Sequence, residues 1–232
     1  MKYTAVIFDL FGTLVPNMSL SEHRAVLTRM ADILSAPPDD FVQLWFDTFN
    51  ERSTGIFQSP NDNVAYICRT LGSVNETKVK HAARIRFDYT VQSMIPRPDA
   101  IETLSHLKFQ GCKTGLISDC SAEVPAIWKN TPFVKLIDAV VFSCLVGVKK
   151  PDPRIYQLTA NQLGIKPQKC LYIGDGSSQE LTGASQVGMQ AVLLRLPSEE
   201  GTDAHRIDSE EWHGPIISSL TEVPTLIERL QK

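Results

Sequence analysis

The 232-residue sequence lacks any continuous apolar stretch of the roughly 18 residues that a membrane-spanning helix needs. It also lacks a basic stripe, because its formal net charge is −3 and its acidic and basic residues are spread along the chain. We therefore expect neither a membrane nor a nucleic acid as a partner. Nothing in the composition predicts an oligomeric state.

Cysteine is scarce, and no two cysteines have the spacing of a metal-binding pair. The five cysteines form no CxxC motif; they are Cys68, Cys112, Cys120, Cys144 and Cys170. A structural zinc site and a disulfide framework are both disfavoured, which predicts reduced thiols in a cytoplasmic protein. The first apolar run also has no basic region before it, so it resembles a strand rather than a signal peptide.

Short apolar runs alternate with helical patterns along most of the chain. Runs that are apolar on successive residues are typical of parallel strands buried on both faces. The five runs are Tyr3–Phe8, Lys113–Ile117, Ala139–Phe142, Cys170–Ile173 and Ala191–Leu194. The pattern predicts an α/β fold with a doubly wound, Rossmann-like parallel sheet.

One long segment interrupts this alternation. About a hundred residues separate the first run from the second, far more than a simple crossover between parallel strands requires. Four parts of it have apolar residues at helical spacing: Ser21–Leu34, Asp40–Arg52, Asn63–Leu71 and Thr77–Met94. We predict a smaller all-α cap domain at residues 16–95, and a catalytic core made of residues 1–15 and 96–232.

Polar residues that could carry chemistry follow the predicted strands: Asp9, Ser118, Asp119, Lys150 and Asp175. Ligands of open α/β sheets bind beyond the carboxyl ends of the strands, so we expect these residues to meet in one crevice. Two neighbouring carboxylates repel each other unless a cation lies between them, which indicates a hard divalent metal such as Mg²⁺. A lysine and a hydroxyl beside them would bind a phosphate.

Four segments resemble, in order, the motifs of the haloacid dehalogenase superfamily. They are Val6–Leu14 (VIFDLFGTL), Gly115–Ser118, Lys150–Pro153 with Tyr156, and Tyr172–Gly176 followed by Glu180. The long helical insert also falls where that family places its cap. The resemblance implies a hydrolase that acts on a small molecule through a covalent intermediate on an aspartate.

The resemblance also implies roles for the acidic residues. Asp9 would be the nucleophile and a Mg²⁺ ligand, the backbone carbonyl of Phe11 a second ligand, and Asp175 the ligand from the acidic loop. Whether Gln179 or Glu180 contacts the metal shell stays open.

The remaining roles concern the group that is transferred. Lys150 would be catalytic, because it would bind that group and orient Asp9, and Ser118 would bind the group as well. For Asp119 two roles stay open, phosphate positioning and turn capping.

Position 11 departs from the usual phosphatase pattern. Phosphatases of the superfamily carry a second aspartate there as general acid and base, a role that contributes about 10²–10⁴-fold, whereas this chain has Phe11. Haloacid dehalogenases have an aromatic residue there but lack the Gly-Asp metal loop that this chain keeps at Gly174–Asp175. The leading hypothesis is a Mg²⁺-dependent phosphatase of a small phosphorylated metabolite. The alternatives are a carbon–halogen hydrolase and a binding protein with weakened catalysis.

Overall fold

The computed structural model describes residues 3–72, 74–199 and 209–230. Its strands are β1 (Ala5–Phe8), β2 (Lys113–Ser118), β3 (Ala139–Phe142), β4 (Cys170–Gly174), β5 (Gln190–Leu194) and β6 (Ile216–Ile217). They form a parallel sheet in the order β3-β2-β1-β4-β5-β6. Strand order reverses beside β1, so the residues that follow β1 and β4 face each other across the crevice where such sheets bind ligands.

Successive residues of β1 point into two different apolar layers. Ala5 and Ile7 belong to one buried cluster, and Val6 and Phe8 belong to another on the opposite face. Because both faces are covered by helices, the strand is apolar at every position, as a buried parallel strand must be. The predicted α/β doubly wound fold is confirmed.

The first five helices after β1 are α1 (Leu20–Leu34), α2 (Pro38–Asp47), α3 (Phe49–Ser53), α4 (Pro60–Thr70) and α5 (Glu76–Ser93). Six more follow within the described part of the chain: α6 (Ala100–Phe109), α7 (Glu123–Trp128), α8 (Ser143–Val146), α9 (Pro153–Leu163), α10 (Glu180–Gln186) and α11 (Val223–Leu230). None of the helices in the described residues is both long enough and apolar enough to span a bilayer.

The insert has an apolar core of its own. Its buried members come from α1, α2, α4 and α5, with the fully buried Trp45 among them. A separate apolar cluster is what an independently packed unit requires. The division of the chain at residues 16 and 95 stays a prediction.

Two local features differ from the sequence expectation. The predicted helix Asp40–Arg52 is two helices separated at Thr48, whose hydroxyl donates a 2.7 Å hydrogen bond to the Leu44 carbonyl. A threonine bound to the carbonyl four residues earlier bends a helix, which accounts for the break. The second difference is β6, which has only two residues and was too short to be recognised as a run.

Candidate active site

Asp9 lies directly after β1 in a tight loop. Its backbone N–H donates to the Ile173 carbonyl of the neighbouring strand at 2.9 Å, and its side chain is buried. Gly12 in the same loop has φ +84°, and a Cβ there would lie 2.5 Å from Oδ2 of Asp175. The Gly of the first motif therefore allows the loop after β1 to approach the loop after β4.

Arg97 holds this loop from the far end of the insert. Its Nε donates to the Thr13 carbonyl at 3.0 Å, and its Nη2 donates to the Gly12 carbonyl at 3.1 Å. The backbone N–H of Arg97 also donates to the Leu14 carbonyl at 2.9 Å. The two chain segments that join the insert to the sheet are thus tied together beside the loop that carries Asp9.

Lys150 lies between two buried carboxylates. Its Nζ is 2.6 Å from Oδ1 of Asp9 and 2.6 Å from Oε2 of Glu180. Burial alone would lower the pKa of Lys150, but the charges of Asp9 and Glu180 raise it well above its usual value. Lys150 is therefore a permanent positive charge in contact with Asp9.

Glu180 is the residue that sequence reasoning left undecided. Its Oε2 also accepts a 2.7 Å hydrogen bond from the Tyr172 hydroxyl, and its Oε1 accepts one of 3.0 Å from the N–H of Gly176. A Cβ at Gly174 would lie 2.1 Å from Oε1, so the glycine before Asp175 makes room for this carboxylate. Gln179, the other candidate for a metal contact, is exposed.

A left-handed turn brings Glu180 into the site. Ser178 and Gln179 have φ +55° and +50°, and α10 begins only after them. The sequence pattern predicts a helix over Ser178–Val187, but in the structure this helix begins two residues later, at Glu180. The helical pattern of the sequence contains no signal for this turn, because neither residue is a glycine.

Asp175 follows β4 and faces the loop after β1. Its Oδ1 accepts a 3.0 Å hydrogen bond from the N–H of Ser177, and its Oδ2 accepts one of 2.8 Å from Nδ2 of Asn17. The pKa of Asp9 is raised to about 6, mainly by burial and also by the charge of Asp175, against the lowering effect of Lys150. The two aspartates thus repel each other across the crevice.

Three buried carboxylates with one ammonium group leave an excess of negative charge. Ligand oxygens of Asp9, Asp175 and Glu180 all lie within 4.8 Å of one another. Glu180 forms an ion pair with Lys150, whereas Asp9 and Asp175 follow β1 and β4 on the two sides of the crevice, so these two aspartates are the pair best placed to hold a metal. A hard divalent cation that prefers few carboxylates, such as Mg²⁺, fits this donor set.

The other two predicted residues lie at the end of β2. Oδ1 of Asp119 accepts a 3.0 Å hydrogen bond from the backbone N–H of Lys150, so this carboxylate holds the segment that carries the lysine. Ser118 is buried but is not among the residues that line the cavity, whereas Asp119 is. The structure therefore brings Asp119 closer to a bound ligand than Ser118.

A cavity of about 330 Å³ opens beside Asp9. The core contributes Asp9, Phe11, Asp119 and Lys150 to its wall. The insert contributes Asn17, Met18, His23, Phe46, Phe49, Arg52, Arg86 and Thr90. The volume lies at the small end of the range for small-molecule sites. The site residues predicted from the sequence include none of these insert residues.

Known proteins of two activities resemble the chain. The glyceraldehyde 3-phosphate phosphatase of Methanopyrus kandleri is 28% identical over 82% of this chain and 83% of that protein. The (S)-2-haloacid dehalogenase 4A of Burkholderia cepacia is 26% identical over 82% of each chain. The crystal structure of a 2-haloacid dehalogenase from Pseudomonas syringae shares the fold, with a TM-score of 0.71 at 18% identity over 98% of this chain and 99% of that one.

The match to a protein family is more extensive than any single motif. The family model of haloacid dehalogenase-like hydrolases matches residues 3–188, which include the loop of Asp9, the insert, Lys150 and the loop of Asp175. Sequence, fold and the order of the motifs agree. The chain belongs to the haloacid dehalogenase-like hydrolases.

Proposed function

We propose that this hydrolase is a Mg²⁺-dependent phosphatase that acts on a small phosphorylated metabolite through an aspartyl-phosphate at Asp9. The observation that carries the proposal is the acidic cluster of Asp9, Asp175 and Glu180. Two buried aspartates that repel each other across the crevice favour a bound cation, and a metal-dependent phosphatase uses such a cation whereas halide release does not require one. Five free, buried cysteines fit a cytoplasmic location.

In the first step, a carboxylate oxygen of Asp9 attacks the phosphorus atom. The new Asp9 O–P bond forms as the bond from phosphorus to the ester oxygen breaks, and that oxygen leaves with the electron pair. Lys150 is 2.6 Å from Oδ1 of Asp9 and would stabilise the negative charge that gathers on the phosphoryl oxygens. Bound Mg²⁺, held by Asp9, Asp175 and the Phe11 carbonyl, would supply further charge neutralisation.

Glu180 and Asp119 would act through Lys150 in this mechanism. Glu180 binds the ammonium group, and Asp119 binds the backbone N–H of the same residue. Both contacts restrict where the lysine can go, so its charge is preorganised toward the reacting group.

In the second step, water attacks the phosphorus of the aspartyl-phosphate and releases inorganic phosphate and the Asp9 carboxylate. The residue two positions after Asp9 has no proton to exchange with this water, because it is Phe11. We therefore expect the second step to be slow relative to the first when the leaving group is good.

A carbon–halogen hydrolase is the second candidate, favoured by Phe11. Its ring lines the cavity beside Asp9, and halide departs without a proton. In that reaction Asp9 would displace halide from carbon, and no metal would be required.

The test is a comparison of the purified full-length protein on phenyl phosphate and on (S)-2-chloropropionate, with Mg²⁺ and with EDTA. The proposal expects phosphate release that requires Mg²⁺ and is lost in Asp175→Asn. Asp39→Asn, an exposed aspartate on α2, is the matched control. Chloride release that persists in EDTA would overturn the proposal in favour of the second candidate.

A further inference from the structure

Two arginines of the insert are buried in the wall of the cavity. Arg52 lies on α3 and Arg86 lies on α5, and each is 6% exposed. Removing a guanidinium from water is costly unless its charge and its N–H donors are matched by partners. Two such groups beside one cavity therefore need an explanation.

Their hydrogen bonds within the described residues leave most donors unused. Nη1 of Arg52 donates to the Trp45 carbonyl and, at 2.8 Å, to the Thr48 hydroxyl. Nη1 of Arg86 donates to the Thr90 hydroxyl at 2.8 Å, while its Nε is buried with no hydrogen-bond partner. A guanidinium offers five N–H donors, so each arginine retains donors for a ligand.

The aromatic ring of Trp45 positions both groups. Cζ of Arg52 lies 4.5 Å from the centre of the ring, and Cζ of Arg86 lies 5.6 Å from it. Contacts of this kind hold a cation without neutralising it. Trp45, which belongs to the apolar core of the insert, thus positions both guanidinium groups and leaves their N–H donors free to bind a ligand.

Glu123 is a buried carboxylate near both arginines. It lies at the start of α7, is 1% exposed, and neither of its oxygens has a hydrogen-bond partner among the described residues. The pKa of Arg52 is lowered to about 9, mainly by burial and also by the charge of Arg86, while the charges of Glu123 and Glu51 act in the opposite direction. The nearby carboxylates therefore offset part of the charge without using the free N–H donors of the arginines, which remain available to a ligand.

We propose that Arg52 and Arg86 bind a second anionic group of the substrate, distinct from the phosphoryl group that Asp9 attacks. The inference rests on the proposed phosphatase function and deepens it: the substrate is a small phosphate ester that also carries a carboxylate or a second phosphate. The planar guanidinium suits both oxyanions, because it can donate two parallel hydrogen bonds to either.

The experiment measures kcat/KM for four aryl phosphates with Mg²⁺ and the full-length protein. Phenyl phosphate is the neutral reference, 4-carboxyphenyl phosphate carries a carboxylate, 1,4-phenylene bisphosphate carries a second phosphate, and 4-carbamoylphenyl phosphate has similar size without the charge. We expect at least one anionic ester to exceed the carbamoyl ester by about 10- to 100-fold, the value of a charge-assisted hydrogen bond. The anionic ester that shows the higher kcat/KM identifies whether the site prefers a carboxylate or a phosphate.

Variants then assign the preference to residues. Arg52→Gln and Arg86→Gln should each reduce the ratio of anionic to carbamoyl ester by about tenfold or more. Arg84→Gln, the same substitution at an exposed site on α5, is the matched control and should keep the ratio. Glu123→Gln should increase the ratio, because it removes the competing carboxylate. If the arginines and Glu123 served only to stabilise the fold, Glu123→Gln would not increase this ratio.

The outcomes separate the two proposals. If phenyl phosphate is not hydrolysed at all, the proposed function fails. If it is hydrolysed but neither anionic ester exceeds the carbamoyl ester in the wild-type protein, only the second anionic site is overturned. That wild-type comparison decides the matter even where an arginine variant does not fold.

Discussion

At the scale of single residues, Phe11 has the largest consequence for the proposed chemistry. It lines the cavity beside Asp9, at the position where a carboxylic acid would otherwise protonate the departing oxygen. We predict that alkyl phosphates, which leave as strongly basic alkoxides, react at least about 100-fold more slowly than aryl or acyl phosphates. A plot of log kcat/KM against leaving-group pKa under saturating Mg²⁺ measures this dependence.

Substitution of Phe11 tests whether the missing acid causes this dependence on the leaving group. Phe11→Asp should raise kcat/KM for alkyl phosphates and flatten the dependence on leaving-group pKa, within the limits of how a carboxylate fits a space shaped by a ring. Phe11→Leu stays apolar and should keep the steep dependence. A flat plot for the natural protein would mean that another residue already supplies the proton.

Asp9, the proposed nucleophile, gives the most direct prediction. Asp9→Asn keeps the shape of the side chain and an oxygen that can accept from Lys150, but removes the attacking carboxylate. We expect kcat to fall by at least about 10³-fold, while the thermal midpoint changes little. Mass spectrometry of acid-quenched wild-type protein should find a phosphoryl group on Asp9, which the variant should lack. Substantial turnover by the variant would contradict covalent catalysis.

At the scale of elements, the site depends on two loops that approach each other closely. Gly12→Ala would place a Cβ 2.5 Å from Oδ2 of Asp175 in a backbone with φ +84°. We expect at least a tenfold loss of activity, because the acidic loop must move. Gly111→Ala is the control: its φ is +74°, but nothing lies within 4 Å of its Cβ.

Comparison of Gly12→Ala with Gly111→Ala separates the effect of backbone strain from the effect of the close contact with Asp175. Both variants should lose about 1 kcal/mol of unfolding free energy through the left-handed conformation. Only Gly12→Ala should also lose activity, measured alongside chemical denaturation. Equal activity in the two variants would mean that the loop after β4 tolerates displacement.

Elements that are long or buried on both faces were the ones that the sequence predicted well. The five apolar runs correspond to β1–β5, since a strand covered by helices must be apolar at successive positions. The two-residue β6 exists only through its pairing with β5, so no local pattern could reveal it. Helix α10 begins late because a left-handed turn precedes it, and that turn depends on the tertiary contacts of Glu180.

The sequence predicts only those residues of the candidate site that follow the ends of strands. Asp9, Asp119, Lys150 and Asp175 follow strands, and the topology of a parallel sheet brings them together. Arg52 and Arg86 are 34 positions apart in sequence on separate helices, and their approach to Trp45 depends on how those helices pack. The hydrophobic periodicity of a helix does not say which of its polar residues will be buried.

At the scale of the whole molecule, the acidic cluster should couple metal binding to stability. A ligand that binds only the folded state at 100 times its Kd adds about 2.7 kcal/mol to the free energy of unfolding. We therefore expect saturating Mg²⁺ to raise Tm by several degrees over the value in EDTA, measured by calorimetry. Asp175→Asn should abolish the increase, and Asp39→Asn should keep it. An identical wild-type Tm in Mg²⁺ and EDTA would contradict the metal site.

The separate core of the insert has a consequence for the order in which the molecule assembles during translation. Its buried members lie between Leu27 and Ala83, whereas Ala5 of β1 pairs with Lys113 and Cys170. A chain that emerges from the ribosome N-terminus first exposes the whole insert before either partner strand of β1 has been made. The helices can pack at once, but the first strand must wait for contacts that are distant in sequence and slow to form. Asp9 is thus synthesised before the insert and reaches its final surroundings only after β2 and β4 have been made.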